Sequence, residues 1–408
     1  GAGYGGGEGI SRYKPPGSLA ASGIRYVRKV LQDGLITLWG GNRGRGAFDI
    51  DRSPFGPGPL EQMPSADVIN LHYVSRFIDL SRFFATYGGK IPLVWRLPDM
   101  NPFTGGCHYD GGCGRFASGC GRCPVLDSNC PVDLSRSVYR RKKKIFTGLR
   151  PKDLHLVALS RWMRDQIRRS PLFNRFPVSV IPNGLDTKVF SPRGADLARR
   201  ALGLPEDAMV LFFAANNIAD QRKRFLYVRD VVDKLANIKE LFLLSAGTGN
   251  GRIKGFGRAR HLGLVEDERL LSLAYSASNV FLIPSLQDNL PNTVIESLSC
   301  GTPVVGFEVG GIPDMLDDGR TGFLVPRGDS AGLTARVKRL LTDRALRQRM
   351  SEQCRRIAVQ KYSLQRQTEQ YLDLYSQLTN RPLQSHLTDR SDLEPSCLDS
   401  VRAREKRN

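Results

Sequence analysis

The chain has 408 residues, a length that predicts two or three domains with hydrophobic cores of their own. Its 40% hydrophobic and 25% charged residues exclude a wholly disordered or collagen-like chain, and no apolar run reaches the roughly 20 residues of a membrane-spanning helix. The 60 Lys and Arg residues outnumber 40 acidic ones, so the net charge of +20 favours an anionic partner: a nucleic acid, an anionic membrane face or a phosphorylated substrate. We see no signal-peptide pattern at the N-terminus and expect a cytoplasmic protein.

The predicted elements begin late in the chain, because the first 60 residues show no clear pattern: a Gly-rich start is followed by Pro15-Pro16 and by a loop-like run at 40–49 (GGNRGRGAFD). From residue 66 onward, short apolar runs alternate with helical patterns, which predicts parallel sheets. The first set of predicted strands is 67–71, 91–97, 154–160 and 178–182. The second set is 209–215, 241–246, 279–284 and 303–307, and the helices between them are 225–236, 267–277 and 292–299.

Two doubly wound α/β domains, 1–188 and 189–360, are the economical interpretation. The stretch from residue 330 to 378 is almost continuously helical, and Ser363 is the expected N-cap of its last helix, 364–378. We expect the segment 361–378 to cross back to the first domain. Residues 379–408 mix Pro, Ser and charges without an apolar period, and we expect a disordered tail.

Five of the eight cysteines lie between residues 104 and 130, and this clustering favours a metal site or local structure over a disulfide framework. Cys107, Cys113, Cys120 and Cys123 have the spacing C-x5-C-x6-C-x2-C, with His108 and Cys130 as alternates. Either a structural zinc ion or reduced, unliganded thiols would account for this spacing. We expect no catalytic zinc, since no open three-ligand set with a base is apparent.

The segment 285–315 is the richest in chemistry. It places Asp288 in a loop at the carboxyl end of a predicted strand, where open α/β sheets bind ligands, and Glu296 one turn into the next helix. Two carboxylates at this spacing can accept hydrogen bonds from sugar or ribose hydroxyls, and the free N–H groups near Asn292 and Thr293 suit a phosphate. The plain alternative is a helix-capping acidic residue followed by a solvated helix Glu.

The same segment resembles the signature of the family 4 retaining glycosyltransferases, which have the GT-B fold of two Rossmann-like doubly wound domains facing across a cleft. The matching residues are Pro284-Ser285, Asp288 where Glu is usual, Glu296, 300–305 (CGTPVV) and Gly310-Gly311. The resemblance implies that Glu296 binds the donor ribose and Asp288 the donor sugar. It makes the first domain the acceptor side, with a Cys-rich loop at 104–130, and the second domain the nucleotide-sugar side.

Further pieces of the resemblance occur in the expected order. Residues 181–186 (IPNGLD) resemble the entry into the second domain, and 216–225 (NNIADQRKRF) resemble the loop that holds the donor diphosphate. A solvated basic loop is the alternative for that second segment. The resemblance assigns these residues to donor binding: Asn217, Arg222, Lys223, Leu264, Val265, Asp288, Asn289, Leu290, Asn292, Thr293 and Glu296.

In the first half, 96–100 (RLPDM) and 104–124 resemble a bacterial polysaccharide-assembly subgroup that usually has Leu-His-Asp at the first site. Pro98 replaces that His, so Asp99 or the substrate itself must take any general-base role. Transfer in this family is commonly described as front-face, with the leaving diphosphate taking the acceptor proton. We therefore list Asp99, Arg222, Lys223, Asp288 and Glu296 as catalytic candidates.

The basic run Arg140–Lys144 would attract an anionic lipid surface or an acceptor pyrophosphate, and a solvated helix face is the alternative. We predict a hexosyltransferase that uses a UDP- or GDP-sugar without a catalytic metal, acts on a saccharide or lipid-linked acceptor in surface polysaccharide assembly, and lies in the cytoplasm or on the inner membrane face. Alternatives are a GT-B epimerase or phosphorylase, and a basic zinc-stabilised nucleic-acid-binding protein, which would leave 288–311 unexplained.

Overall fold

The computed structural model describes residues 13–15, 17–39, 46–218, 220, 222–249 and 257–382. Its strands are β1 Ile69–His72, β2 Leu93–Leu97, β3 Leu154–Ala158, β4 Val178–Val180, β5 Met209–Asn217, β6 Leu241–Thr248, β7 Ala259–His261, β8 Val280–Ile283, β9 Val304–Phe307 and β10 Gly322–Val325. Its α-helices are α1 Leu19–Leu38, α2 Gly58–Glu61, α3 Leu80–Tyr87, α4 Leu134–Thr147, α5 Arg161–Arg169, α6 Ala195–Ala201, α7 Phe225–Lys234, α8 Glu268–Ser276, α9 Asn292–Ser299, α10 Ile312–Met315, α11 Ser330–Thr342, α12 Arg344–Tyr362 and α13 Leu364–Thr379. Short 3-10 turns occupy Asn101–Phe103, Arg115–Ala117, Pro124–Leu126 and Pro151–Asp153.

The first domain contains a four-stranded parallel sheet in the order β1-β2-β3-β4. The strands are apolar and carry buried residues on both faces, as parallel strands covered by helices require. Trp95 on β2 is buried among aromatic rings that include Phe84, Phe146 and Phe173. The carboxyl ends of these strands lie at one edge of the sheet, where Asp99 follows β2.

The second domain contains a six-stranded parallel sheet in the order β10-β9-β8-β5-β6-β7. The central strand β8 is fully buried and β5 nearly so. α7, α8, α9, α11 and α12 supply most of the apolar helix side chains that complete this core. The strand order reverses direction between β5 and β8, and Asp288 lies in the loop after β8. This is the point at which open α/β sheets bind ligands.

The chain passes between the domains twice, and the two crossings lie side by side. Leu185 N donates to the carbonyl of Tyr362 at 2.8 Å, and Leu364 N donates to the carbonyl of Leu185 at 3.1 Å. Beyond this point α13 lies on the first domain, because Leu374 packs with Val94 of the first sheet. Ser363 caps α13, since its side chain accepts a hydrogen bond from Arg366 N.

The structure confirms the two doubly wound α/β domains and all eight predicted strands to within two residues at each end. The first 60 residues, for which no element was predicted, contain the 20-residue α1, Leu19–Leu38, capped by Ser18. The predictions also missed β7 and β10, which are edge strands of three and four residues.

The predicted disordered tail lies almost wholly outside the described residues, which end at 382. The Gly-rich start, 1–12, also lies outside them. In the part of the chain that the structure describes, we find no helix both long enough and apolar enough to cross a membrane.

Candidate active site

Asp288 and Lys223 form an ion pair at the carboxyl ends of the second sheet. Lys223 Nζ lies 2.5 Å from Asp288 Oδ2, and the other carboxylate oxygen accepts a hydrogen bond from Asn289 N at 3.1 Å. Lys223 comes from the turn before α7, whereas Asp288 follows β8. The pair is only partly exposed, so Asp288 is a carboxylate held by a cation at the mouth of the domain.

Two glycines hold the backbone of Asp288 in place. Gly311 N donates to the Asp288 carbonyl at 3.0 Å. A Cβ on Gly310 would lie 1.8 Å from that carbonyl, and one on Gly311 would lie 1.8 Å from the Asn289 carbonyl. Gly310 also has a φ of +57°, so a side chain here is excluded on two grounds. The Gly-Gly pair therefore lets two loops approach within backbone contact.

Asn289 is buried and joins the two domains. Its amide accepts a hydrogen bond from Ser160 Oγ at 2.7 Å and donates to the carbonyls of Leu97 and Pro98 at 3.3 and 3.0 Å. All three partners belong to the first domain. The side chain is thus committed to the domain interface, and only the role of its backbone in donor binding stays a prediction.

Arg222 lies in the cleft, with a partner from each domain. Its guanidinium contacts Asp220 at 2.8 Å and lies over the Tyr109 ring, 4.9 Å from the centroid. The sequence analysis predicts that the positive charge of Arg222 binds the donor diphosphate. The carboxylate of Asp220 offsets part of that charge. The ring contact still fixes the guanidinium at the surface between the domains.

Glu296 lies in α9 with its carboxylate against Tyr275. The Tyr275 hydroxyl donates to Glu296 Oε2 at 2.8 Å. Burial raises the pKa of Glu296 to about 7, although this hydrogen bond and the nearby charge of Lys223 act in the opposite direction. One turn earlier, Thr293 Oγ1 is buried and has no hydrogen-bond partner among the described residues. This unpaired hydroxyl lies at the N-terminus of α9, where a polar ligand could form the hydrogen bond that it lacks.

The other predicted donor residues are less uniform in their placement. Asn217 is the exposed last residue of β5, and Leu264 is exposed in the loop after β7 with Val265 half-buried beside it. Asn292 accepts a hydrogen bond from Asn183 at 2.7 Å, next to the chain crossing. Leu290 has its side chain buried in the hydrophobic core of its domain, so only its backbone remains for a ligand, and its role in donor binding stays a prediction.

On the first-domain side, His108 lies between two carboxylates. Its Nδ1 is 2.7 Å from Asp99 Oδ2 and its Nε2 is 3.0 Å from Asp49 Oδ2. Burial alone would lower its pKa, but the hydrogen bonds and charges of Asp49 and Asp99 raise the pKa to about 9. Asp99 is therefore already occupied by an imidazolium and by Asn101 N at 2.9 Å, which leaves it poorly placed to act as a general base.

These groups line one cleft between the domains with a volume of about 650 Å³. Asp99, His108 and Tyr109 form its first-domain wall, and Arg222, Lys223 and Asp288 form the opposite wall. Its rim is closed on one side by Gln287, which donates to Asp110 at 2.9 Å and accepts from Gly111 N at 2.9 Å. The structure thus brings four of the five catalytic candidates into one cavity, with Glu296 close enough for Lys223 to influence it.

The four predicted metal ligands line a small enclosed cavity beside this cleft, and these are Cys107, Cys113, Cys120 and Cys123. Burial raises the pKa of each thiol, to about 12 for Cys120, whose sulfur also accepts a hydrogen bond from Gly105 N at 3.2 Å. Zinc binding would release these protons, because a thiol that coordinates the ion is deprotonated. Within the described ranges we find no group of three or more His, Cys, Asp or Glu side chains arranged to hold a metal ion. A structural zinc stays a prediction.

The basic run Arg140–Lys144 is not the solvated face that its composition favours. Lys142 is fully buried, and its ammonium donates to the carbonyls of Asn101 and Thr104 at 2.5 and 3.2 Å. Burial lowers its pKa to about 8. Arg141 pairs with Asp51 at 2.6 Å. Only three of the five cations, at 140, 143 and 144, are exposed.

Sequence reasoning missed the partners that complete the site. His108 was considered only as an alternate metal ligand, and Asp49, Tyr109, Tyr275 and Gln287 were not singled out. A signal existed for one of them, since Tyr109 directly follows His108 within the Gly-rich segment that follows a strand end. The others come from distant segments, and no local pattern marks them.

A comparison with family models matches residues 208–343 to the model described as "Glycosyl transferases group 1". A D-inositol 3-phosphate glycosyltransferase of Thermomonospora curvata is 32% identical over 202 residues, which is 43% of this chain and 46% of that protein. An N-acetyl-alpha-D-glucosaminyl L-malate synthase of Bacillus anthracis is 25% identical over 211 residues, covering 48% and 53% of the two chains. The chain spans about half the length of these curated relatives.

Solved structures share the fold. Sucrose-phosphate synthase from Thermosynechococcus elongatus superposes with a TM-score of 0.60 at 23% identity, over 77% of this chain and 74% of that one. Anabaena Alr3699/HepE in complex with UDP superposes with a TM-score of 0.57 at 16% identity, over 76% and 79%. These similarities confirm the GT-B arrangement of two Rossmann-like domains facing across a cleft.

Proposed function

We propose that this chain is a retaining glycosyltransferase that moves a hexose from a nucleoside-diphosphate sugar to a saccharide or lipid-linked acceptor. One observation carries the proposal. At the carboxyl ends of the second sheet, two cations, Arg222 and Lys223, and the carboxylate of Asp288 face a cleft whose other wall is the first domain. These three residues of the second domain lie within 208–343, the segment that matches the family model. A solved structure of the same fold, Anabaena Alr3699/HepE, is in complex with UDP.

The cations suit a departing diphosphate. Charge develops on the leaving oxygen as the bond from the anomeric carbon breaks, and preorganised cations at that position stabilise the transition state. Lys223 is held by Asp288 before any ligand binds, so a donor would find the ammonium already oriented. Asp288 would then hold hydroxyls of the donor sugar, and Glu296 those of the ribose.

The surroundings of His108 favour transfer without a protein base. Both ring nitrogens are engaged by carboxylates, so the imidazolium has no lone pair to accept the acceptor proton at neutral pH. Asp99 is equally engaged. The proton of the attacking hydroxyl would go to the leaving diphosphate, on the same face of the sugar, and the new bond would form with retention.

The acceptor assignment rests on the segment 104–124, which resembles a polysaccharide-assembly subgroup. The relatives named above act, by their names, on D-inositol 3-phosphate and L-malate, so acceptors in this group are diverse. We propose a saccharide or lipid-linked acceptor of bacterial surface polysaccharide assembly. The exposed Arg140, Lys143 and Lys144 would add attraction for an anionic acceptor or membrane.

The proposal is tested by thermal-shift titrations with UDP, GDP and ADP on the parent chain and on Lys223→Ala and Glu296→Ala. Saturation at about 100 times the dissociation constant should stabilise the parent by roughly 2.7 kcal/mol. Lys338→Ala, which removes the same charge from an exposed position on α11, is the matched control and should keep the full shift.

A shift with one base, lost in both site variants and kept in the control, supports the donor site. The selected nucleotide sugar is then incubated with candidate acceptors, and nucleotide release that requires acceptor excludes an epimerase. No shift with any nucleotide in folded protein would refute the proposal, and salt-sensitive binding to DNA or RNA would then favour the nucleic-acid alternative.

A further inference from the structure

The helix α1 exposes its apolar face to solvent, whereas a helix that covers a hydrophobic core buries that face. Eight large apolar side chains on it are between 40% and 92% exposed, and these are Leu19, Ile24, Tyr26, Val27, Val30, Leu31, Leu35 and Leu38. They make up eight of the seventeen exposed large hydrophobic side chains among the described residues. At 3.6 residues per turn they fall within an arc of about 180° that contains no charged residue.

The opposite face of α1 holds the helix to the protein. Asp33 pairs with Arg76 at 2.6 Å, and Ile36 is buried with Phe48 and Leu126. These contacts fix the rotation of the helix about its axis. The apolar arc therefore points away from the domain along the whole helix, whose 20 residues span about 30 Å. A surface helix normally turns its apolar stripe toward the core.

We propose that α1 is an interfacial helix that lies flat on an anionic lipid surface with its apolar arc among the lipid chains. This inference does not depend on the proposed sugar transfer. A broad apolar face opposite a polar face that carries Arg and Lys, on a helix too polar to span a membrane, is the pattern of helices that lie in the plane of a bilayer.

Charge selects a lipid surface over a second copy of the chain. Arg28 lies next to the arc, Arg25 and Lys29 lie on the polar face opposite it, and the single acidic residue of α1, Asp33, is already paired. The chain carries a net charge of +20, so two copies repel each other while an anionic bilayer attracts each one. Each basic side chain near such a surface adds to binding, and each apolar side chain that enters the lipid adds further.

The test is flotation of the full chain with vesicles of phosphatidylcholine that contain about 30 mol% phosphatidylglycerol, and with vesicles of phosphatidylcholine alone. Val27→Glu with Leu31→Glu puts two carboxylates at the centre of the arc. Both positions are exposed and Glu is a good helix former, so the fold should survive. Leu197→Glu with Leu226→Glu is the matched control, because it makes the same charge change at side chains 58% and 56% exposed in the second domain.

We expect the parent to float with the anionic vesicles and the control to match it. The α1 variant should bind at least about 100-fold more weakly, which is roughly tenfold for each side chain withdrawn from lipid. Circular dichroism and the nucleotide-induced thermal shift should be the same for both variants. That readout separates a failure of this inference from a failure of the donor-site proposal.

Three results would overturn the inference. The first is a parent chain that floats with neither kind of vesicle. The second is equal binding by the parent and the α1 variant, with loss of binding instead on substitution of Arg140, Lys143 and Lys144 by Gln. The third is a parent dimer, measured by light scattering without lipid, that the α1 variant converts to a monomer, since the arc would then be covered by a second copy.

Discussion

Replacing Glu296 by Gln should stabilise the protein at pH 8 and leave its stability at low pH almost unchanged. Burial in α9 raises the pKa of Glu296 to about 7, whereas the same carboxyl in an unfolded chain titrates near 4.5. Between these two values the folded state binds more protons than the unfolded state. The free energy of unfolding of the parent therefore falls as the pH rises through this window, and the whole cost is present above pH 7.

The size of the effect follows from the two pKa values. Their difference of roughly 2.5 units corresponds to about 3 kcal/mol at pH 8, of which less than about 1 kcal/mol is already present at pH 5. Gln has the same shape, can accept the hydrogen bond of Tyr275 through its amide oxygen, and carries no charge at any pH. The variant should therefore exceed the parent by about 2 kcal/mol more at pH 8 than at pH 5.

Scanning calorimetry at several pH values measures this difference, and a gap of about 2 kcal/mol corresponds to roughly 4–8 °C in melting temperature. Tryptophan fluorescence is unsuitable, because Trp39, Trp95 and Trp162 all precede the second domain. Glu352→Gln, at an exposed position on α12, is the control and should show no such pH dependence. Equal gains at pH 5 and pH 8, or a variant less stable than the parent at pH 8, would refute the reasoning.

Three other outcomes are expected. His108→Gln should lower the free energy of unfolding by up to about 3 kcal/mol below pH 6.5, and by progressively less as the pH rises through 9. The reason is that the raised pKa of His108 confers stability only while the imidazole is protonated, so a pH-independent loss in calorimetry would contradict this prediction. Asn289→Ala removes hydrogen bonds to Ser160 and two carbonyls, so we expect a loss of about 1–3 kcal/mol and a larger radius of gyration by small-angle scattering, and an unchanged radius would argue against an interdomain role. If the predicted zinc exists, elemental analysis will find one zinc per chain, lost in a Cys120→Ser and Cys123→Ser double variant, whereas metal-free protein with reactive thiols would exclude it.

The architecture could be predicted because its evidence is local. The strands β5, β8 and β9 are continuous apolar runs, and α9 was predicted with its observed ends, since a turn-forming Pro291 precedes it and Gly301 follows it. The interpretation of Asp288 and Glu296 as a pair that binds donor hydroxyls rests on the family resemblance as well as on their spacing, and it stays a prediction. Such features lie within one continuous segment, so the sequence of that segment is enough to detect them.

The environment of these residues could not be predicted in the same way. The pKa of Glu296 depends on Tyr275, which is 21 positions earlier, and His108 depends on Asp49, 59 positions away. Lys142 shows how a local pattern can mislead. A run of charged residues predicts a solvated helix face, but Lys142 is buried and donates to the carbonyls of Asn101 and Thr104. α1 was missed because Gly23 and Gly34 lower its helix propensity.

A short path of contacts joins the two walls of the cleft. On one wall His108 holds Asp99, whose neighbour Pro98 offers its carbonyl to Asn289. On the other wall, Asn289 directly follows Asp288 in the chain, and Asp288 forms the ion pair with Lys223. A donor that contacts both Lys223 and Asp288 would act directly beside the residue that ties the domains together. We therefore expect binding at the proposed donor site to depend on the relative position of the domains, and, because coupling is reciprocal, we expect Asn289→Ala to weaken nucleotide binding as well as the domain interface.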